Sequence, residues 1–162
     1  SGPDASPSAS RDLSRLLFTQ AQTTGSIWIG APGSGDARQL TSTEANISSP
    51  ASAPDNRRIA YVKQTPSTGG DFHELLLMDI ATGERNQILS ERAAIHSPRW
   101  SPDGSRLAYA AEADEHWRVV VGPTSSEPCD EIARIVWAAD GSCVWYGARR
   151  GRELWWGRMA LE

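Results

Sequence analysis

Two cysteines and one lysine are all that the 162 residues contain of either type, and no apolar run nears the roughly 18 residues a membrane-spanning helix needs. Cys129 and Cys143 fit no zinc or redox spacing, and one pair is not a disulfide framework. They fall on neighbouring repeat units, so they read either as one bridge formed in an oxidising compartment or, more simply, as two separate small buried residues. The net charge is −4, with acids and arginines scattered rather than blocked. The basic stripe that neutralises phosphates is therefore missing, and nucleic acid is excluded as the expected partner. Also missing are a Gly-x-Ser-x-Gly elbow, a His-Glu-x-x-His pair and a phosphate loop. Gly33-Ser34-Gly35 lacks the following helix of a phosphate cradle and reads as a turn between strands. Helical periodicity is absent beyond a weak turn, which argues against a self-contained hydrolase with a helical catalytic domain. Residues 1–12, rich in Ser, Pro and Ala and without a secretory leader pattern, read as a disordered linker, such as remains where a signal or anchor has been trimmed.

What the chain does have is repetition. Short apolar strands recur at Leu16-Leu17-Phe18, Ile59-Ala60-Tyr61, Leu107-Ala108-Tyr109 and Val144-Trp145-Tyr146, so their first residues (16, 59, 107 and 144) are 43, 48 and 37 apart. A strand-rich period of about 40–50 residues is the length of one propeller blade. Ahead of the third copy stands Ser97-Pro98-Arg99-Trp100-Ser101-Pro102-Asp103-Gly104-Ser105-Arg106, with weaker echoes at residues 49–56 and 135–142. Pro-Asp-Gly is tight-turn chemistry, because proline presets φ and Asp, Asn or Gly tolerates the positions after it. Beyond each Tyr strand follows another apolar one: Ile27-Trp28-Ile29, Leu75-Leu76-Leu77-Met78, Val119-Val120-Val121 and Leu154-Trp155-Trp156. A turn such as Ala81-Thr82-Gly83 then leads to a short last strand. The unit is a four-stranded antiparallel meander. The fold class is all-β, with about four four-stranded propeller blades forming one domain over residues 13–162.

These residues resemble the TolB-type β-propeller repeat family, relatives of the WD-repeat blades. The fullest match is Ser97 to Ala111, which keeps Pro-x-Trp-Ser-Pro-Asp-Gly-x-x-Leu-Ala-Tyr, and Ala81-Thr82-Gly83 after Met78-Asp79 matches the family's third-to-fourth strand turn. The resemblance spans about residues 13 to 160 and implies a fold rather than a chemistry, because the family includes interaction domains, sensors and accessory domains of hydrolases. It implies an association with envelope protein partners, hence a periplasmic or extracellular sensor or interaction domain. The enzymatic alternatives are an accessory domain of a prolyl-oligopeptidase-like hydrolase and a metal-dependent polysaccharide lyase.

With blade strands labelled a to d, the first unit shows b, c and d, with a degenerate a between Ala5 and Arg11. Units two and three are complete, and unit four shows only a, b and c. Ala60 and Ala108 are small where neighbouring sheets pack, and Phe18, Tyr61, Tyr109 and Tyr146 should wedge between blades. Trp145 breaks the alanine pattern, and four of seven tryptophans (137, 145, 155 and 156) fall at the C-terminal end. Propellers have about 4–8 blades, so an open aromatic flank needs resolving. The outcomes are a homodimer joined through that flank, a fragment of a longer chain, or closure of this chain alone.

The candidate contacts lie on one rim. His73 and His116 start strand c in successive blades, and His96 starts strand a of the third. With Asp71 and Asp114 they raise the possibility of the lyase's metal site, because imidazole and carboxylate suit zinc or manganese. Strands a and c are about 9–10 Å apart, however, so short histidines on separate blades converge poorly. The expectation is no metal, no cofactor and no catalytic residue. The long loop from Gln64 to His73 puts Phe72 on the same rim, either as a contact or folded back onto strand c. Phe72, His73, His96, His116, Trp117 and Arg149 are the candidate binding residues for a protein or peptide partner.

Overall fold

A computed structural model describes residues 8–10, 14–21, 25–31, 33, 35–42 and 46–161, and its described elements are all strands. The chain divides into two compact units, residues 1–92 and 93–162, each holding two blades.

In the first unit, β1 (Ser8–Ala9), β2 (Leu16–Ala21), β3 (Gly25–Gly30) and β4 (Ala37–Gln39) make one antiparallel sheet in chain order. The second sheet is β5 (Asn46–Ser52), β6 (Arg58–Thr65), β7 (Phe72–Asp79) and β8 (Arg85–Glu91). In the second unit, β9 (Ile95–Trp100), β10 (Leu107–Ala113), β11 (His116–Val121) and β12 (Thr124–Ser125) form the third sheet. The last sheet has three strands, β13 (Glu131–Trp137), β14 (Cys143–Arg150) and β15 (Glu153–Ala160). The degenerate first strand is thus Ser8–Ala9, paired to Leu16 and Leu17, inside the segment read as linker. The rest of residues 1–12, apart from Ser10, lies outside the described residues.

The a–b turn is built the same way four times. A backbone amide bonds the carbonyl five residues on: Ser10 to Arg15, Ala53 to Arg58, Ser101 to Arg106 and Ala138 to Cys143, at 2.8–3.0 Å. Inside three of these turns an aspartate precedes a residue of positive φ: Asp55 before Asn56 (56°), Asp103 before Gly104 (71°) and Asp140 before Gly141 (72°). The carboxylate holds the turn by accepting amides just beyond it, from Arg57 to Asp55 and from Ser142 to Asp140. Asp103 accepts from the Ser101 and Ser105 hydroxyls and the Ser105 amide, which holds its carboxyl far below the usual range. Strand a also carries a repeated irregularity. Ser49 and Ser97, each before a proline, both sit at φ 54°, and the a–b register shifts beside them. Proline is tolerated there because strand a is a sheet edge with a bulge.

Side-chain alternation then decides the cores. In the first unit Leu17, Ile27, Ile47, Ile59, Tyr61, Leu76 and Met78 make one buried cluster. In the second unit Ala108, Ala110, Val119, Val121, Ile135, Val144, Tyr146 and Ala148 make another, with Trp117, Trp137 and Trp155 packed against it. Ala60 and Ala108 are fully buried, Tyr61 and Tyr146 nearly so, and Tyr109 is half-buried. The Phe18 side chain lies outside the described residues. Cys129 and Cys143 are buried free thiols. Cys129 donates weakly to the Trp117 and Glu131 carbonyls, and burial pushes its thiol pKa up, which disfavours the thiolate.

Candidate binding surface

Each blade presents its b–c turn and the start of its strand a on one rim. In the second unit this rim is organised around Trp117. Trp117 opposes Glu112 on β10, and its backbone exchanges hydrogen bonds with Cys129 at 2.7 and 3.0 Å. The His96 ring lies against the indole, centroids 4.4 Å apart at 49°, and its Nδ1 is 3.0 Å from the Ser97 hydroxyl. Burial lowers the His96 pKa, and Glu131, near enough to act on it, opposes that shift. Glu131 in turn accepts from Arg149 Nε at 2.9 Å, and Asp130 Oδ2 lies 3.9 Å from Arg149 Nη1. His96 thus packs on Trp117 while Arg149 is fixed to Glu131, whose charge also acts on His96 and which the sequence pattern does not single out.

His116 does not join them. It opposes Ala113 while His96 opposes Ala110, and residues an odd number apart on one strand face opposite sides of the sheet. Its Nδ1 lies 2.8 Å from the Asp114 carbonyl and it is exposed. Among the described residues no three of His, Cys, Asp and Glu are grouped to hold a metal.

In the first unit the rim carries Phe72 and His73. Phe72 opposes Thr65 and is half-buried beneath the Arg92 guanidinium, which lies 4.6 Å from the ring centroid and donates to the Gly69 carbonyl at 2.7 Å. The loop is thus fastened by a residue from the far end of β8. Gln64 donates to Asp71 at 2.6 Å, beside His73, whose buried Nδ1 has no hydrogen-bond partner among the described residues. Arg92 thus bridges the Phe72 ring and the Gly69 and Gly70 carbonyls, the last at 3.4 Å.

A second surface lies on the last sheet. Val144, Tyr146 and Ala148 point into the core, so Trp145, Gly147 and Arg149 point away from it. Their partners across the ladder are Val136 and Arg158 beside Trp145, Trp156 beside Gly147 and Leu154 beside Arg149. This outward face is open and mixes apolar side chains with Arg134, Arg149 and Arg158: Leu154 is 78%, Trp156 60% and Trp145 42% exposed. Arg158 lies 5.9 Å from the Trp145 ring centroid. Beyond β15 no fourth strand follows among the described residues.

Antiparallel four-stranded meanders that repeat the same turn and bury one alanine-bearing face are β-propeller blades, and the chain is a β-propeller module. More particularly, the fold is that of TolB. The chain superposes on TolB from Acinetobacter baumannii with a TM-score of 0.76 at 16% identity, over 96% of this chain and 40% of that one. It superposes on the putative TolB from Agrobacterium tumefaciens with a TM-score of 0.75 at 13% identity, over 94% of this chain and 60% of that one. An oligogalacturonate lyase in complex with manganese shares the fold at a TM-score of 0.70 and 15% identity, over 99% of this chain and 52% of that one. The chain therefore spans about two fifths to three fifths of the TolB chains it resembles. No protein-family model and no curated protein matches its sequence.

Proposed function

We propose that this chain is a non-catalytic binding module, periplasmic or extracellular, that pairs with a second copy of itself and receives a protein or peptide partner on its rim. The observation that carries the reading is the outward face of the last sheet. Trp145 stands where blades two and three have a fully buried alanine; Val136 and Arg158 oppose it, and exposed Trp156 and Leu154 lie further along the same face. Blades are built to stack sheet on sheet, and an exposed aromatic face of this kind is costly in water. A second copy supplies a further sheet to cover this face, and a two-fold axis lets one face serve both chains. In the second unit His96, Trp117 and Arg149, and separately in the first unit Phe72 and His73, place aromatic, imidazole or guanidinium groups on strand ends, compositions suited to peptide contacts; His116, on the other sheet face, is a peripheral contact. The lyase alternative draws support from fold likeness only, since His96 and His116 diverge. Metal content measured after purification in manganese and zinc separates the two readings.

Amide hydrogen exchange of β15 at low and high protein concentration tests the pairing. Protection of Leu154 to Arg158 that grows with concentration supports it. Fast exchange there at every concentration removes it.

A further inference from the structure

The opposite rim of the first unit, where the a–b and c–d turns emerge, holds an open cleft of about 1120 Å³ between its two blades. Three guanidiniums line it, Arg15, Arg38 and Arg57, against one carboxylate, Asp36. A cleft with a local excess of two positive charges is out of keeping with a chain whose net charge is −4. The arginines come from three different turns. Arg15 donates through Nη1 to the Asn56 carbonyl at 2.9 Å, and Arg38 through Nη2 to the Ile80 carbonyl at 3.1 Å. Each of these groups has five N–H donors and spends one on that fixing contact, so it is oriented without being consumed. Arg57 is held through its backbone, by its amide to Asp55 and its carbonyl from Ile80; its side chain makes no hydrogen bond among the described residues and is near enough to Asp79 to help hold that carboxyl below its usual range.

The rest of the lining includes Ile29 and the largely buried Ile80, beside Ser14 and Asn56. The floor is close backbone: a Cβ on Gly30 would lie 2.9 Å from the Asp36 carbonyl, so only glycine lets the c–d turn approach there. We propose that this cleft binds an organic anion bearing two or more negative charges, carboxylates or phosphates, its charged groups on the three arginines and its carbon skeleton on Ile29 and Ile80. Guanidinium forks match both oxyanions, and the cleft is larger than either needs alone. The inference is independent of the aromatic face, which belongs to the other unit.

Calorimetric titration with pyrophosphate and with citrate, at low ionic strength, tests it on the full chain. Acetate serves as the single-charge control. The expected result is saturable one-site binding of at least one probe that weakens with salt, falls at least tenfold in Arg57→Gln and is unchanged in Arg152→Gln, on the other unit. Whichever of the two probes binds names the oxyanion. The Arg57 side chain makes no hydrogen bond among the described residues, so the variant is expected to keep the fold, which its circular dichroism verifies. No saturable binding of either probe, or equal binding by Arg57→Gln, overturns the proposal.

Discussion

Arg106 reaches from the a–b turn of the third blade and donates through Nη2 to the carbonyl of Gly141, the positive-φ residue in the same turn of the fourth blade, at 2.6 Å. In the first unit Arg15 makes the same bond to Asn56, at the equivalent positions. The turn that ends one blade's first hairpin thus docks on the turn of the next. The Arg106 guanidinium also lies 5.3 Å from the Trp137 centroid, and Trp137 Nε1 returns a bond to the Arg99 carbonyl at 2.9 Å.

Removing that link costs a charged hydrogen bond and a ring contact. Arg106→Met is expected to lower unfolding stability by about 1–2 kcal/mol, read as a shifted denaturant midpoint at unchanged slope. Arg152→Met, in an exposed turn, is expected to stay within about 0.5 kcal/mol.

Gly157 has a packing reason to be glycine. It opposes Tyr146, and a Cβ there would collide with the phenol ring and lie 2.7 Å from Trp155 Cζ3. Gly157→Ala is expected to destabilise by about 1–3 kcal/mol, as overpacking does, and to change the near-ultraviolet dichroism of the Tyr146–Trp155 pair. An unchanged spectrum and stability would show that the ring does not rest there.

Acid is expected to act in two stages. Burial holds the His96 pKa below its usual 6.5, so the folded state favours neutral imidazole. Its contribution to stability is complete above 6.5 and is lost as pH falls through the lower folded value, where the unfolded chain binds more protons. Asp103, held down by the Ser101 hydroxyl, and Asp140, held down by the Ser142 amide, contribute stability above 3.8 that is lost as pH falls through their lower folded values. Melting temperature is therefore expected to fall gently below pH 6.5 and steeply below 4. His96→Gln is expected to remove the first stage and keep the second.

Arg149 is a weak structural element. Its pairs with Glu131 and Asp130 are solvent-exposed, and exposed pairs contribute about 0–1 kcal/mol. Arg149→Ala is expected to leave the melting temperature nearly unchanged, and a shift of several degrees would contradict the weak role assigned to these pairs.

The blades were legible because their information is local. Pro102-Asp103-Gly104 names its own turn, and Ala-Tyr after it names the strand that returns. The contacts between blades were not, because Arg15–Asn56 and Arg106–Gly141 join residues 41 and 35 apart and follow only once the sheets are stacked. The same holds for the cleft formed by Arg15, Arg38 and Arg57. Strand position alone put His96 and His116 on one rim; the ladder register put them on opposite faces, and no spacing rule reveals that before the pairing is known. Trp145 was visible in advance as a large ring where the repeat calls for alanine, and the structure leaves it exposed.

The most direct test of the account is solution mass, by light scattering during size exclusion across a hundredfold range of concentration, for the native chain and for Trp145→Arg/Trp156→Glu. The account predicts a mass of two chains for the native protein and of one for the double variant, with the fold kept in both. A native chain that stays monomeric throughout would contradict it.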